Sequence, residues 1–249
     1  MLHCTQPARI LLSKKGYSGT FAILAQFKRS KPSLELLYIE DGFGLGNLTT
    51  GDLVYIESPT NPTGELTDLA QYKKEGVWIC VDSTFAPPPL QFLTNAADFV
   101  VHSSTKFLGG HSDLLGGVIL TRNAGICEGL RSQRTIMGNV MGALESWLLI
   151  RSLRTLKIRV WAQSESAFRI AKFLSACSCV QTVHHCSILG QTLNGGGYPG
   201  VIAITVMFVI LILRCSRGRT QRIYQRTLKC FRMQLRLADV KVWSNGDTA

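Results

Sequence analysis

The sequence is short of several features, and each absence excludes something. The opening "MLHCTQPARILLSKKGYSG" has no sustained apolar core and no small-residue cleavage site, which argues against a secretory leader. There is no disulfide framework: the eight cysteines are scattered without regular spacing, and free thiols in a reducing cytoplasm are the expected state. There is no apolar run of membrane-spanning length. "VIAITVMFVILIL" at 201–213 has 13 residues, where a spanning helix needs about 20. It reads as a buried strand or core segment, although residues 197–213 together leave a membrane contact open. Acids are scarce towards the end: residues 206–249 hold nine Lys/Arg against two Asp/Glu, within a net charge of +11. Such a tail suits nucleic acid or an anionic membrane. No nucleic-acid recognition module accompanies it, so a solvated tail without nucleic acid is expected. No internal repeat is visible.

What is present is a foldable chain, 46% hydrophobic and 17% charged, able to bury a core. Short apolar runs follow one another: "LLYIE" (36–40), "LVYIES" (53–58), "VWICVD" (77–82), "DFVVHS" (98–103) and "GGVILT" (116–121). They lack polar alternation, which predicts strands buried on both faces of a largely parallel sheet covered by helices. "ELTDLAQYKKEG" carries helical spacing at Leu66, Leu69 and Tyr72 and stops at Gly76, predicting a helix between the second and third strands. Residues 142–177 have few breakers and two apolar stripes, Leu144–Trp147–Leu148 and Leu149–Leu153–Leu156–Val160. They predict one long helix or two in line, passing from a large domain to a smaller one.

In open α/β sheets, ligands lie at the carboxyl ends of strands. "SPTNPTG" places Asn61 after one strand, Asp82 closes the next, and "HSSTKFLGGHSDLLGG" places Ser103, Thr105 and Lys106 after the third. An amide, a carboxylate, two hydroxyls and an amine thus converge on one edge. A lysine amine forms a Schiff base with an aldehyde cofactor. Pyridoxal 5′-phosphate (PLP) requires such a lysine, an acid for its pyridine nitrogen and donors for its phosphate. Lys106, Asp82, and Ser103 with Thr105 meet these needs in turn. The glycines after Lys106 are expected to let backbone approach the cofactor closely. "CSCVQTVHHC" gathers Cys177, Cys179, His184, His185 and Cys186, but the spacing fits no familiar zinc pattern and no metal is expected. His111 reads as a loop-shaping residue.

"SPTNPTG", "VDSTFAPPPLQ" and "HSSTKFLGGHSD" closely resemble three signatures of the Cys/Met-metabolism PLP-dependent, or transsulfuration, family. The wording is most similar to its fungal-type cystathionine γ-synthase and γ-lyase branch, and the similarity covers roughly residues 9–205. "GYSGTF" resembles the segment whose tyrosine stacks on the cofactor ring, which implies that role for Tyr17. The resemblance further implies Asn61 at the cofactor's phenolic oxygen, Asp82 at its pyridine nitrogen, Ser103 and Thr105 at its phosphate, and Lys106 as the imine-forming and proton-shuttling residue. It implies the PLP transferase type I fold: a large domain over residues 9–160, the start of an incomplete small α/β domain over 161–205, and a divergent basic tail over 206–249. It implies elimination or replacement at Cβ or Cγ of sulfur amino acids or activated homoserine, by a cytoplasmic dimer or tetramer.

The family's Ser-Gly-Met-type phosphate cup, its Tyr and Arg that reach the neighbouring subunit, and its "RLSVG"-type carboxylate motif have no counterpart in the sequence. A truncated chain with weak or no activity is therefore expected. Alternatives are a non-catalytic partner of full-length homologues, or a membrane-associated remnant.

Overall fold

The computed structural model describes residues 1–177, 180–187 and 210–213. Its elements, in chain order, are α1 (Leu2–Thr5), β1 (Arg9–Leu12), α2 (Ser18–Ser30), β2 (Glu35–Tyr38), β3 (Leu53–Glu57), β4 (Trp78–Asp82), β5 (Phe99–Ser103), β6 (Gly117–Leu120), α3 (Ala124–Met137), α4 (Ala143–Leu153), α5 (Leu156–Ser175), β7 (Val180–His184) and β8 (Ile210–Leu213). The first six strands form one sheet in the order β2-β1-β3-β4-β5-β6. All its pairings are parallel except β5 with β6. β7 and β8 form a separate antiparallel pair.

The five apolar runs all become strands, but burial on both faces explains only the central three: β3, β4 and β5 are mostly buried, whereas β2 and β6 stand at the two edges of the sheet and stay half-buried or exposed. One face of the sheet, with Leu11, Val54, Ile56, Ile79 and Val81, is sealed by Leu48, Leu69, Tyr72 and Val77. The other, with Ile10, Leu12, Leu53, Cys80 and Phe99, is sealed by Leu24 and Phe27 of α2, with Ile126 and Leu130 of α3 packed against it. α2 begins after Tyr17, buries Leu24 and Phe27 on one side, and ends with Lys28 and Arg29 where its dipole favours cations. α3 is capped by the Asn123 side chain, which accepts from the Ile126 N–H, and ends at Gly138 in the left-handed region.

The helix predicted over "ELTDLAQYKKEG" does not form; the segment holds only a 3₁₀ turn, Leu69–Tyr72. Its polar groups are drawn elsewhere. The Thr67 N–H donates to Ser58 Oγ, the Asp68 carboxylate accepts from the Ala70 N–H, and Lys74 Nζ donates to the Leu45 and Leu48 carbonyls. Residues 142–177 form two helices, α4 and α5, broken at Arg154 and Thr155. Thr155 donates through both its N–H and its hydroxyl to the Ser152 carbonyl. The first stripe lies wholly on α4, and the second is split by the break, with Leu149 and Leu153 on α4 and Leu156 and Val160 on α5. The expected domain boundary between residues 160 and 161 falls inside α5. No helix among the described residues is long and apolar enough to cross a membrane. β8 lies within the apolar run at 201–213; the basic tail beyond it and Cys179 lie outside the described residues.

Candidate functional site

The sheet order sets the position of the site. From β1 the chain moves outward to β2, then returns past β1 to β3 and continues through β4 and β5. The direction of winding reverses between β1 and β3, and the crevice outside the carboxyl ends at such a reversal is where open α/β sheets take ligands. Tyr17 follows β1 there, Glu57 ends β3, and Asn61 follows it. A cavity of ≈ 260 Å³ lies at this point, lined by Tyr17, Thr20, Tyr55, Glu57, Glu65 and Asp68 among others. Of the predicted site residues only Tyr17 lines it: Asn61 follows β3 without lining it, and Asp82, Ser103, Thr105 and Lys106 occupy the neighbouring strand ends.

The register joins the two groups. Glu57 pairs with Asp82, and Asp82 with Val101, so Glu57, Asp82 and Ser103 share one face of the sheet. Asp82 is held by donors: its Oδ1 accepts from the Thr84 N–H at 2.9 Å and from the Thr84 hydroxyl at 2.5 Å, and its Oδ2 from the Tyr55 hydroxyl at 3.3 Å. The Thr84 hydroxyl in turn accepts the Ser103 N–H at 2.9 Å. A hydrogen-bonded chain therefore runs from Asp82 through Thr84 to Ser103. Burial pushes the Tyr55 hydroxyl well above its ordinary pKa, and the Asp82 charge adds to it. Tyr55 is accordingly a neutral donor. His102 points into the core; burial lowers its pKa against the pull of Asp82.

Lys106 sits in a π-type turn, Ser104–Leu108, with φ −91° and ψ −119° at the lysine itself. Such turns are uncommon and concentrate at functional sites. The Gly109 N–H donates to the Ser104 carbonyl and the Gly110 N–H to the Lys106 carbonyl. The reason for the two glycines differs from the one expected. A Cβ at Gly109 would stand 2.7 Å from the Ser104 carbonyl oxygen, and Gly110 has φ +71° with the Arg159 guanidinium where its Cβ would be. The glycines serve the turn and its neighbour α5. Arg159 donates to the Phe107 carbonyl at 3.1 Å and to the Ser152 carbonyl at 3.0 Å. His111 shapes the same loop, donating from Nδ1 to the Gly109 carbonyl at 2.7 Å. The Thr105 hydroxyl accepts the Gly116 N–H at 3.3 Å and keeps its own proton to donate.

Glu57, Thr84, Tyr55 and Arg159 are contributors that the sequence reading passed over. Glu57 carried a readable signal, an acid closing an apolar strand, the same signal that marks Asp82. Thr84 and Arg159 carried none. As a donor set, an amine, a carboxylate, two hydroxyls and an amide around one sheet edge suit an aldehyde that also bears a basic ring nitrogen, an anionic phosphate and a phenolic oxygen. Ser104 Oγ, fully buried at the start of the lysine turn, has no hydrogen-bond partner among the described residues.

Known proteins with this arrangement are consistent in kind. The sequence profile of the Cys/Met metabolism PLP-dependent enzymes matches residues 1–192. The match begins before the expected residue 9 and ends before the expected residue 205. A cystathionine gamma-lyase of Bacillus subtilis is 40% identical over 165 residues, 61% of this chain and 43% of its own length. A cystathionine gamma-synthase of Haemophilus influenzae is 32% identical over 189 residues, 72% of this chain and 51% of its own. Among solved structures, a cystathionine gamma synthase from Xanthomonas oryzae pv. oryzae, in complex with aminoacrylate and cysteine, superposes with a TM-score of 0.70 at 26% identity. It covers 94% of this chain and 60% of its own. A cystathionine gamma-lyase from Micromonospora echinospora gives 0.68 at 28%, covering 88% and 59%.

These are α/β enzymes that use PLP, and the chain belongs to the Cys/Met metabolism PLP-dependent enzyme family. The cofactor of that family is pyridoxal 5′-phosphate. The chain spans about half the length of the curated relatives it matches.

Proposed function

We propose that the chain binds PLP at the carboxyl edge of its sheet and belongs to an enzyme that eliminates or replaces a group at Cβ or Cγ of a sulfur amino acid or an activated homoserine. The observation that carries this reading is the placement of Lys106 on a clamped π-type turn after β5, the strand paired with the one that ends in Asp82, whose carboxylate is already held by Thr84 and Tyr55. When bound, PLP supplies an electron sink conjugated to the substrate's amino group. The chain's own residues do the rest. Lys106 supplies the amine that anchors the cofactor and moves a proton at the substrate's Cα. Asp82 holds the proton on the ring nitrogen, and Tyr55 keeps that carboxylate oriented. Asn61 donates to the phenolic oxygen, Ser103 and Thr105 to the phosphate, and the Tyr17 ring, 55% exposed without cofactor, stacks on the pyridine.

We place the large, PLP-binding domain in the six-stranded sheet and its helices, with α5 as the element that leads into the small one. We also infer a homo-oligomer, with active sites near the contact between copies. Val140, Leu144, Trp147 and Ile150 support it, since each is more than half exposed.

The test is the visible absorbance of the purified chain with added PLP, beside Lys106→Ala. A band near the visible edge in the parent and its loss in the variant is expected. Equal spectra would refute the role of Lys106. Turnover of cystathionine in the same preparation separates a catalyst from a non-catalytic partner, which would hold the cofactor without turnover.

A further inference from the structure

Two of the residues that the PLP reading places on the cofactor ring come from distant parts of the chain. Tyr17 lies on the loop after β1 and Asn61 on the loop after β3. Both loops form lips of the crevice at the reversal point, which Tyr17 and Thr60 line. One side chain touches both. Glu57 Oε2 accepts the backbone N–H of Tyr17 at 2.7 Å, and Glu57 Oε1 accepts the backbone N–H of Asn61 at 2.8 Å. Both carboxylate oxygens are used, one for each lip. The approach is close: Gly16 has φ +133°, and a Cβ there would stand 2.8 Å from Glu57 Oε2. The Glu57 backbone joins in, its carbonyl accepting from the Thr60 hydroxyl at 3.0 Å.

Glu57 sits at the end of β3, in register with Asp82 on β4. It is therefore anchored on the rigid sheet, while the groups it holds lie on loops. A carboxylate in this position fixes the separation of the two lips. Only an acidic side chain offers two acceptor oxygens; the amide of glutamine offers one, with a donor in place of the other.

We infer that Glu57 is the positioning residue of the cofactor crevice. It ties the Tyr17 and Asn61 loops together so that the ring-stacking face and the phenol-binding amide stand at a fixed distance. This deepens the PLP reading above and rests on it.

Amide hydrogen exchange on the full chain without cofactor reads the tie directly. In the folded parent at pH 8, the Tyr17 and Asn61 amides are expected to be slow. Glu57→Gln should speed one or both by roughly tenfold or more, the loss of a hydrogen bond to a charged acceptor. The Thr20 amide, in the first turn of α2 and bonded to the Tyr17 carbonyl, and the Gly64 amide, bonded to the Thr60 carbonyl, should keep their rates. Fast exchange at both amides in the parent, or unchanged rates in the variant, overturns the tie, and the parent arm does not depend on the variant folding.

PLP titration followed by induced circular dichroism then reads the positioning role. Glu57→Gln should bind PLP about tenfold more weakly and alter the induced signal, and Glu57→Asp, too short to reach both lips, should not rescue it. Faster exchange beside unchanged affinity and signal would overturn positioning. A parent that binds no PLP would reject the PLP reading and the positioning role with it, while the exchange result still decides the tie.

Discussion

Glu57 and Asp82 end neighbouring parallel strands, so their backbones lie one strand spacing apart, about 4.8 Å, with both side chains on the same face of the sheet. Burial first, and then the Asp82 charge, push the Glu57 carboxyl up to about 7, against the pull of the N–H groups of Tyr17 and Asn61. The titratable groups that face it are Asp82 and Tyr55, and Tyr55 stays neutral. The sign follows from linkage. An acid raised from its ordinary 4.5 to about 7 is favoured in its protonated, folded form. Its contribution to stability is complete below about pH 4.5 and is lost as pH rises through 7. Urea unfolding of the parent and of Glu57→Gln at pH 5 and pH 8 should therefore show the parent losing about 2 kcal/mol relative to the variant over that interval. A pH-independent difference would contradict the assignment. Thr84 offers a second residue-level test. Thr84→Val removes the hydroxyl that donates to Asp82 and accepts the Ser103 N–H, and leaves the Thr84 N–H on Asp82. Unfolding should become easier by about 1–3 kcal/mol, and PLP affinity should fall with it; no change in either would show that the chain from Asp82 to Ser103 is not energetically coupled.

At the scale of elements, the lysine turn is held from outside itself. α4 and α5 break at Thr155, and the break lets Arg159 reach back to carbonyls of the turn and of Ser152. Arg159→Met should take its donor from the Phe107 carbonyl, while the Ser152 carbonyl keeps those of Thr155, and cost about 1–3 kcal/mol. Gly110→Ala should also destabilise, both because φ is +71° there, worth about 1–2 kcal/mol, and because the new methyl meets Arg159. The two changes share that contact, so a double-mutant cycle by urea unfolding should give a combined loss smaller than the sum; strict additivity would mean that the turn and α5 are independent. The same elements show what could be read from the sequence. β3, β4 and β5 were legible because burial on both faces writes a continuous apolar run; β2 and β6 were legible by their apolar runs although they lie at exposed edges. The helix expected over 65–76 was not there, because its polar groups bond to Ser58 after β3 and to the loop before β3 rather than along a helix axis. β1 is only four residues long, and α2 and α3 follow it and β6 in segments whose apolar spacing is sparse, so none stood out. Asp82 and Lys106 were legible as strand-end chemistry. Arg159 was not, because its value depends on a helix break that aims it across more than fifty residues of chain.

For the whole molecule, a parallel sheet with one reversal point brings together residues from Tyr17 to Lys106. The family membership and the geometry of that edge give the same cofactor. Ligand binding to the folded state should raise stability by mass action: PLP at a hundred times its Kd adds about 2.7 kcal/mol, seen as a rise in Tm that Lys106→Ala largely loses. The exposed apolar face at Val140, Leu144, Trp147 and Ile150 should make the chain self-associate. Light scattering should give a mass above that of a monomer, reduced by Trp147→Lys; a monomer at all concentrations would contradict the proposed oligomer. Borohydride reduction of the chain in the presence of PLP, followed by peptide mass mapping, reads whether Lys106 anchors PLP. One dominant pyridoxyl adduct, on Lys106, is expected. Adducts spread over the surface lysines, with Lys106 unmodified, would contradict its anchoring role.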